Sequence, residues 1–188
     1  MSIARLTEIF TKAAERITDG LSVINTDHAA IHKGMGFTAG DYISMTTGAV
    51  KSYCLTAPAS KYMHIKNLSI QALGGSIKLE ILKLPTVTVN TGTALVLTNK
   101  NDNSAVVSGS SIKPDPTFSD GTVWDTFYAL SDSTNQSTGL TQINDNDNEE
   151  LVTKAASTKY IIRLTNLTEV TVPVSWRIFF YEEDAGAY

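Results

Sequence analysis

Few side chains in this 188-residue chain are equipped for chemistry. His28 and His32 stand four apart, the spacing that sets two imidazoles on one helical face for zinc. Between them lie Ala29, Ala30 and Ile31, without the glutamate a zinc protease uses as general base. The expectation is structural hydrogen bonding, with no metal site assigned. His64 falls in an expected strand and joins the pair only if the fold brings it there. Asp145, Asp147, Glu149 and Glu150 cluster hard oxygen ligands, as calcium requires. They lack the glycine and the closing glutamate of an EF-hand loop, so a solvated acidic loop is expected. Cys54 alternates with apolar neighbours and reads as a small buried side chain. A nucleophile needs a base, and no histidine is near it in sequence. There is no Gly-x-Ser-x-Gly elbow and no glycine-rich phosphate or dinucleotide loop. Trp124, Phe127 and Tyr128 precede a polar stretch and offer either a platform for carbohydrate or protein contact, or ordinary core packing. No catalytic residue, cofactor or metal is expected from these patterns.

The elements that would position these groups are mostly strands. Charged residues make up 18% of the chain and hydrophobic ones 42%, which excludes wholesale disorder and a highly charged coiled coil. Thr, Ser and Asn supply more than a quarter of the residues; they favour strands and turns over helices. The formal net charge of −4 announces neither nucleic acid nor an anionic membrane as partner. No apolar run approaches the roughly 20 residues that span a bilayer. The start Met-Ser-Ile-Ala-Arg lacks the regions of a signal peptide, and one cysteine fits synthesis in a reducing cytoplasm.

Residues 1–20 form the exception to the β pattern. Ser2 caps an expected helix whose apolar residues Ile3, Leu6, Phe10, Ala13 and Ile17 recur at 3-4-3-4 spacing. A helix of about 17 residues is marginal alone in water, so this stripe needs a partner. That partner is either its own domain, or a neighbouring subunit or protein. Residues 21–48, broken by Gly34, Gly36, Gly40 and Gly48, read as a connecting segment.

Residues 49–188 read as a β-sandwich domain. Strands are expected over 50–56, 62–73, 76–84, 93–98, 105–112, 123–130 and 159–166, with a long one from Val170. A bulge near Asn67 would reconcile the phase of Met63 and Ile65 with that of Leu68, Ile70 and Ala72. Gly74-Gly75 reads as a hairpin turn. Residues 131–148 read as a long exposed loop. Val170, Val172, Val174, Trp176, Ile178 and Phe180 share one face, a period of two that a helix does not accommodate. Pro173 on the opposite phase predicts an edge or a bulge. About eight strands with no intervening helices point to an all-β fold, an antiparallel two-sheet sandwich of jelly-roll type with an N-terminal amphipathic helix or arm.

Several stretches resemble, in order, a family of tailed-bacteriophage virion structural proteins of the head-decoration or cement kind. They are His28-x-x-Ile31-His32-x-Gly34-x-x-Phe37, then Thr56-Ala57-Pro58-Ala59-Ser60-Lys61-Tyr62-Met63-His64. Thr91-Gly92-Thr93-Ala94 follows, with Asn99-x-Asn101-x-x-Ser104 and Lys159-Tyr160-x-x-Arg163-Leu164-Thr165-Asn166. The last is Trp176-x-x-Phe179-Phe180-Tyr181-Glu182. In the segment from Asn99 to Ser104, where the pattern expects basic residues, this chain has Lys100 and Asp102, and the acidic Asp102 is the departure. The resemblance implies a non-enzymatic sandwich on the capsid surface of a virion, held by the major capsid protein or other virion proteins, as a homo-oligomer such as a trimer. A tail, tail-tip or glycan-binding receptor module is the alternative, with Trp124 and Phe127 at its contact surface.

Overall fold

Alternation with period two dictates the centre of the molecule. The computed structural model describes residues 26–130, 138–142 and 151–185. Its elements begin with helix α1 (Thr26–His32), β1 (Gly36–Met45), β2 (Val50–Thr56), β3 (Lys61–Leu73) and β4 (Ser76–Lys83). Shorter strands follow: β5 (Thr86–Val89), β6 (Thr98–Asn99), β7 (Ser111–Pro114) and β8 (Thr117–Ser119). The chain continues through β9 (Thr122–Leu130), β10 (Thr138–Gln142), β11 (Leu151–Val152), β12 (Lys159–Asn166) and β13 (Val172–Asp184).

From β13, Val172, Val174, Trp176, Ile178 and Phe180 point inward and are almost wholly buried. This strand is central in a six-stranded sheet ordered β10-β3-β13-β1-β6, in which β11 also pairs with β3. The second sheet runs β7-β2-β12-β4-β9. Its Tyr53, Leu55, Ile77, Leu79, Ile81, Ile162 and Leu164 meet the first sheet's Phe37, Met63, Ile65, Leu68 and Ile70 in one core. Each large side chain so buried contributes about 1.5–3 kcal/mol. All pairings are antiparallel, and the fold is an all-β sandwich. Among the long strands, β1 through β4 fall alternately in the two sheets, and β12 and β13 do so again. Crossing connections of this kind are characteristic of jelly rolls.

A smaller apolar cluster lies behind the second sheet. Cys54, Leu82 and Ile161 are buried there under Val87 and Phe118 of the β5–β8 ribbon. Cys54 is thus the small buried side chain expected, with its thiol pKa pushed up by burial.

The bulge expected near Asn67 is present: Phe179 pairs with Asn67 but Phe180 with Ile65, so one residue of β3 is looped out. Other expectations are corrected. Gly74-Gly75 does not turn a hairpin, because β3 and β4 belong to opposite sheets. Gly74 takes φ +74°, and a Cβ on Gly75 would lie 2.3 Å from Val172 Cγ2, so the pair makes a tight inter-sheet corner. Residues 36–45, read as part of a connecting segment, form β1, paired along all ten residues with β13. Of the strands expected at 93–98 and 105–112, only short ends are regular. Leu95 and Leu97 reach the core without a sheet ladder. Pro173 is on a central strand, not an edge; it sits at the start of β13, before pairing with β3 begins at Val174. Val170 lies outside that strand and is exposed. The helix expected over Ile3, Leu6, Phe10, Ala13 and Ile17 lies outside the described residues.

The crossing from β12 to β13 is held by one buried side chain. Asn166 donates from Nδ2 to the carbonyls of Met45, Thr46 and Val170 at 3.0, 3.0 and 2.8 Å. Its Oδ1 accepts from Thr168 N and Oγ1 at 2.9 and 2.7 Å.

Candidate functional site

Four of the stretches that carry the resemblance, 28–37, 56–64, 99–104 and 176–182, meet at one end of the sandwich. Helix α1 ends there in a left-handed glycine cap. Gly34 has φ +72°, with Gly34 N donating to Ile31 O and Met35 N to Ala30 O. A Cβ on Gly34 would collide with Ser104 Oγ, 2.0 Å away. Asn99 Nδ2 donates to both Gly34 O and Val106 O at 2.9 Å, and Asn101 Nδ2 donates to His32 O at 3.0 Å. Asn99 Oδ1 accepts from Asn101 N, while Lys100 N donates to Gly36 O. The spacing Asn-x-Asn-x-x-Ser is therefore a clamp that ties loop 99–106 to the end of α1. Lys100 and Asp102 are exposed on that loop.

Glu182 binds the next stretch of the same loop. It is 3% exposed, and its carboxylate accepts from Ser108 Oγ, Gly109 N, Ser110 N and Ser110 Oγ. Its backbone N donates to Met35 O, closing the ring of contacts back to α1. A carboxylate buried in water-free surroundings costs several kcal/mol unless it is saturated with donors; four donors meet that need. Beside it, His64 stacks flat on Tyr181 with ring centroids 4.4 Å apart, and its Nε2 lies 3.2 Å from Glu183 Oε2. Between α1 and the end of β13 runs a groove of about 470 Å³, lined by Ala29, Lys33, Met35, Lys61, Glu183 and Asp184 among others.

Glu182 spends its lone pairs on backbone and serine donors. Among the described residues no three His, Cys, Asp or Glu side chains converge as a metal cluster.

A second surface lies along the outer edge of β1. There β6 pairs only with Phe37 and Thr38, leaving the stretch from Ala39 to Met45 with no ladder partner among the described residues. The inward Asp41 blunts this edge in part. Its Oδ1 accepts from Tyr42 N at 2.8 Å, and its Oδ2 accepts from Tyr53 Oη at 2.7 Å. Burial pushes the Tyr53 phenol strongly up, opposed by its contact with Trp176 and reinforced by Asp41. Gly40 opens a cleft of about 540 Å³ between Tyr42, Val96 and Arg177. Tyr42 is 72% and Val96 82% exposed.

The remaining sequence candidates are placed as follows. His28 and His32 are exposed on α1 with Nε2 atoms 3.0 Å apart. Trp124 and Phe127 are half-buried and pack against the inter-sheet core, with Trp124 5.4 Å from the Tyr160 ring. Val123, Tyr128 and Leu130 are apolar side chains that β9 exposes next to them. Within 131–148, residues 138–142 pair as β10 with β3, where a loop was expected; the acidic residues 145–150 lie outside the described residues. The Glu182 clamp was missed in sequence. The resemblance includes Glu182 but not Ser108, Gly109 or Ser110, so it gave no signal of the contact. No protein-family model matches this chain, and no curated protein does.

Proposed function

We propose that this chain is a non-enzymatic structural protein of a tailed-phage virion, a decoration or cement protein that binds the head shell through protein–protein contacts. The observation that carries the reading is the convergence at one end of the sandwich. His32, Gly34, Asn99, Asn101 and Ser104 form one clamp, and Glu182, some 150 residues from His32 in sequence, holds the next stretch of the same loop and Met35. Three of the resembling stretches, 28–37, 99–104 and 176–182, thus contribute to neighbouring contacts, which supports the reading. The apolar edge at Tyr42 and Val96 suits a neighbouring subunit, since an unpaired strand edge with exposed large side chains favours pairing with another chain. Many weak contacts, multiplied over the copies on a shell, give firm attachment without a deep site.

Purified full-length protein is expected to co-sediment with expanded capsids of its phage and to raise their resistance to heat. Deleting residues 1–18 is expected to weaken that docking or self-association. Sedimentation apart from capsids at every stage of assembly would overturn the proposal.

A further inference from the structure

We infer that α1 carries a surface site for a borderline divalent cation, of which zinc, nickel and copper(II) are the candidates, with His28 Nε2 and His32 Nε2 as two of its ligands. The inference stands apart from any role in a virion.

Its basis is the distance between the two nitrogens. A metal with Zn–N bonds of about 2.0–2.1 Å holds two tetrahedral ligand nitrogens about 3.3 Å apart, and cis ligands at a right angle about 2.9 Å apart. In the protein the two Nε2 atoms are 3.0 Å apart, between those limits. The rings are inclined at 48° with centroids 4.5 Å apart, so their Nε2 edges converge while their faces do not stack. Without metal this arrangement is one N–H···N hydrogen bond, in which one ring carries its proton on Nε2. Ligation through both Nε2 atoms needs only that this proton move to Nδ1 of the same ring, with no net proton gained or lost.

The backbone that carries the pair is already held. Asn101 Nδ2 binds the carbonyl of His32 itself, and the glycine cap closes the turn after it. Ile31 packs over Gly36 beside Phe179. The helix therefore need not be ordered by the ion, a cost that weakens chelation by mobile segments. Both histidines are exposed, so an ion reaches them from solvent. No third His, Cys, Asp or Glu joins them among the described residues; water fills the remaining positions. Imidazole selects zinc, nickel and copper over magnesium and calcium, which prefer oxygen.

The test is calorimetric titration of the full chain with zinc chloride, and separately with nickel chloride. Saturable binding is expected, with affinity reduced about tenfold or more in both His28→Ala and His32→Ala and no response to magnesium chloride. Both substitutions are on exposed positions, so an unchanged unfolding midpoint checks that the fold is intact. Nitrogen-15 NMR on the unaltered protein gives a second readout: zinc must shift the Nε2 resonances of both rings. Failure of either ion to bind, binding undiminished in both variants, or Nε2 resonances unmoved by zinc would overturn the inference.

Discussion

Replacing Glu182 with alanine tests how the loop end of the sandwich is held. The substitution strips the acceptor from Ser108 Oγ, Gly109 N, Ser110 N and Ser110 Oγ at once. Ser110 is buried, so its two donors gain no water in exchange and keep only Ser108 Oγ for the amide and Met63 Sδ for the hydroxyl. A buried donor left wholly without a partner costs about 1–3 kcal/mol, which bounds the loss at each, and the charge-assisted bonds themselves are worth about 1.5–3 kcal/mol. Gly109 and Ser108 are better exposed and recover hydration, adding little. The loss of the carboxylate's own desolvation penalty offsets part of the sum. The net expectation is a destabilisation of about 2–4 kcal/mol. Glu182→Gln keeps the volume and one acceptor oxygen but sets an NH2 against Gly109 N–H, and should cost about half as much. Urea unfolding would measure both, and amide exchange at Gly109 and Ser110 should accelerate in the alanine variant even where the core stays protected. An alanine variant within about 0.5 kcal/mol of the unaltered protein, or one whose exchange at those two amides is unchanged, would refute the clamp.

Asn166→Ala removes three carbonyl contacts and two threonine ones from the inter-sheet crossing; a loss of about 2–4 kcal/mol in urea is expected. Stability should fall at alkaline pH. Burial raises the phenols of Tyr53 and Tyr160 above their value of 10.0 in the unfolded chain. Their contribution is therefore complete below pH 10 and is lost as pH rises from there toward the folded-state values. Urea midpoints between pH 8 and 11, read beside phenolate absorbance, check this (about 10 being the free phenol value), and Tyr53→Phe should flatten the decline. Cys54 is buried with a raised thiol pKa, so a disulfide reagent should label it only on unfolding; rapid labelling of the native protein would contradict the packing under Val87 and Phe118.

How much of this was legible in sequence follows from where side-chain alternation is clean. Residues 50–56 and 159–166 alternate between turn residues, and β2 and β12 occupy those spans. The bulge in β3 was readable because it reverses the apolar phase between Ile65 and Leu68. Strand β1 was hidden although Phe37, Ala39, Ile43 and Met45 keep the inward phase. Gly40 breaks the pattern because Trp176 O comes within 2.4 Å of where its Cβ would be, and Asp41 is tolerated inside because Tyr53 satisfies it. Both causes lie on other strands. A glycine pair announces a turn but not the sheet that the chain turns into, and so 74–75 misled. The clamp around Glu182 joins residues 72–74 positions apart, a range at which pattern is silent. The two histidines, by contrast, were found by spacing alone, and the structure places their nitrogens together.

The most direct measurement of the proposed role is an electron cryomicroscopy reconstruction of the parent phage particle. The account predicts the two-sheet fold as repeated density on the outer surface of the head, touching the major capsid protein. Its absence from the head in both assembling and mature particles, with the chain recovered outside the virion altogether, would contradict it.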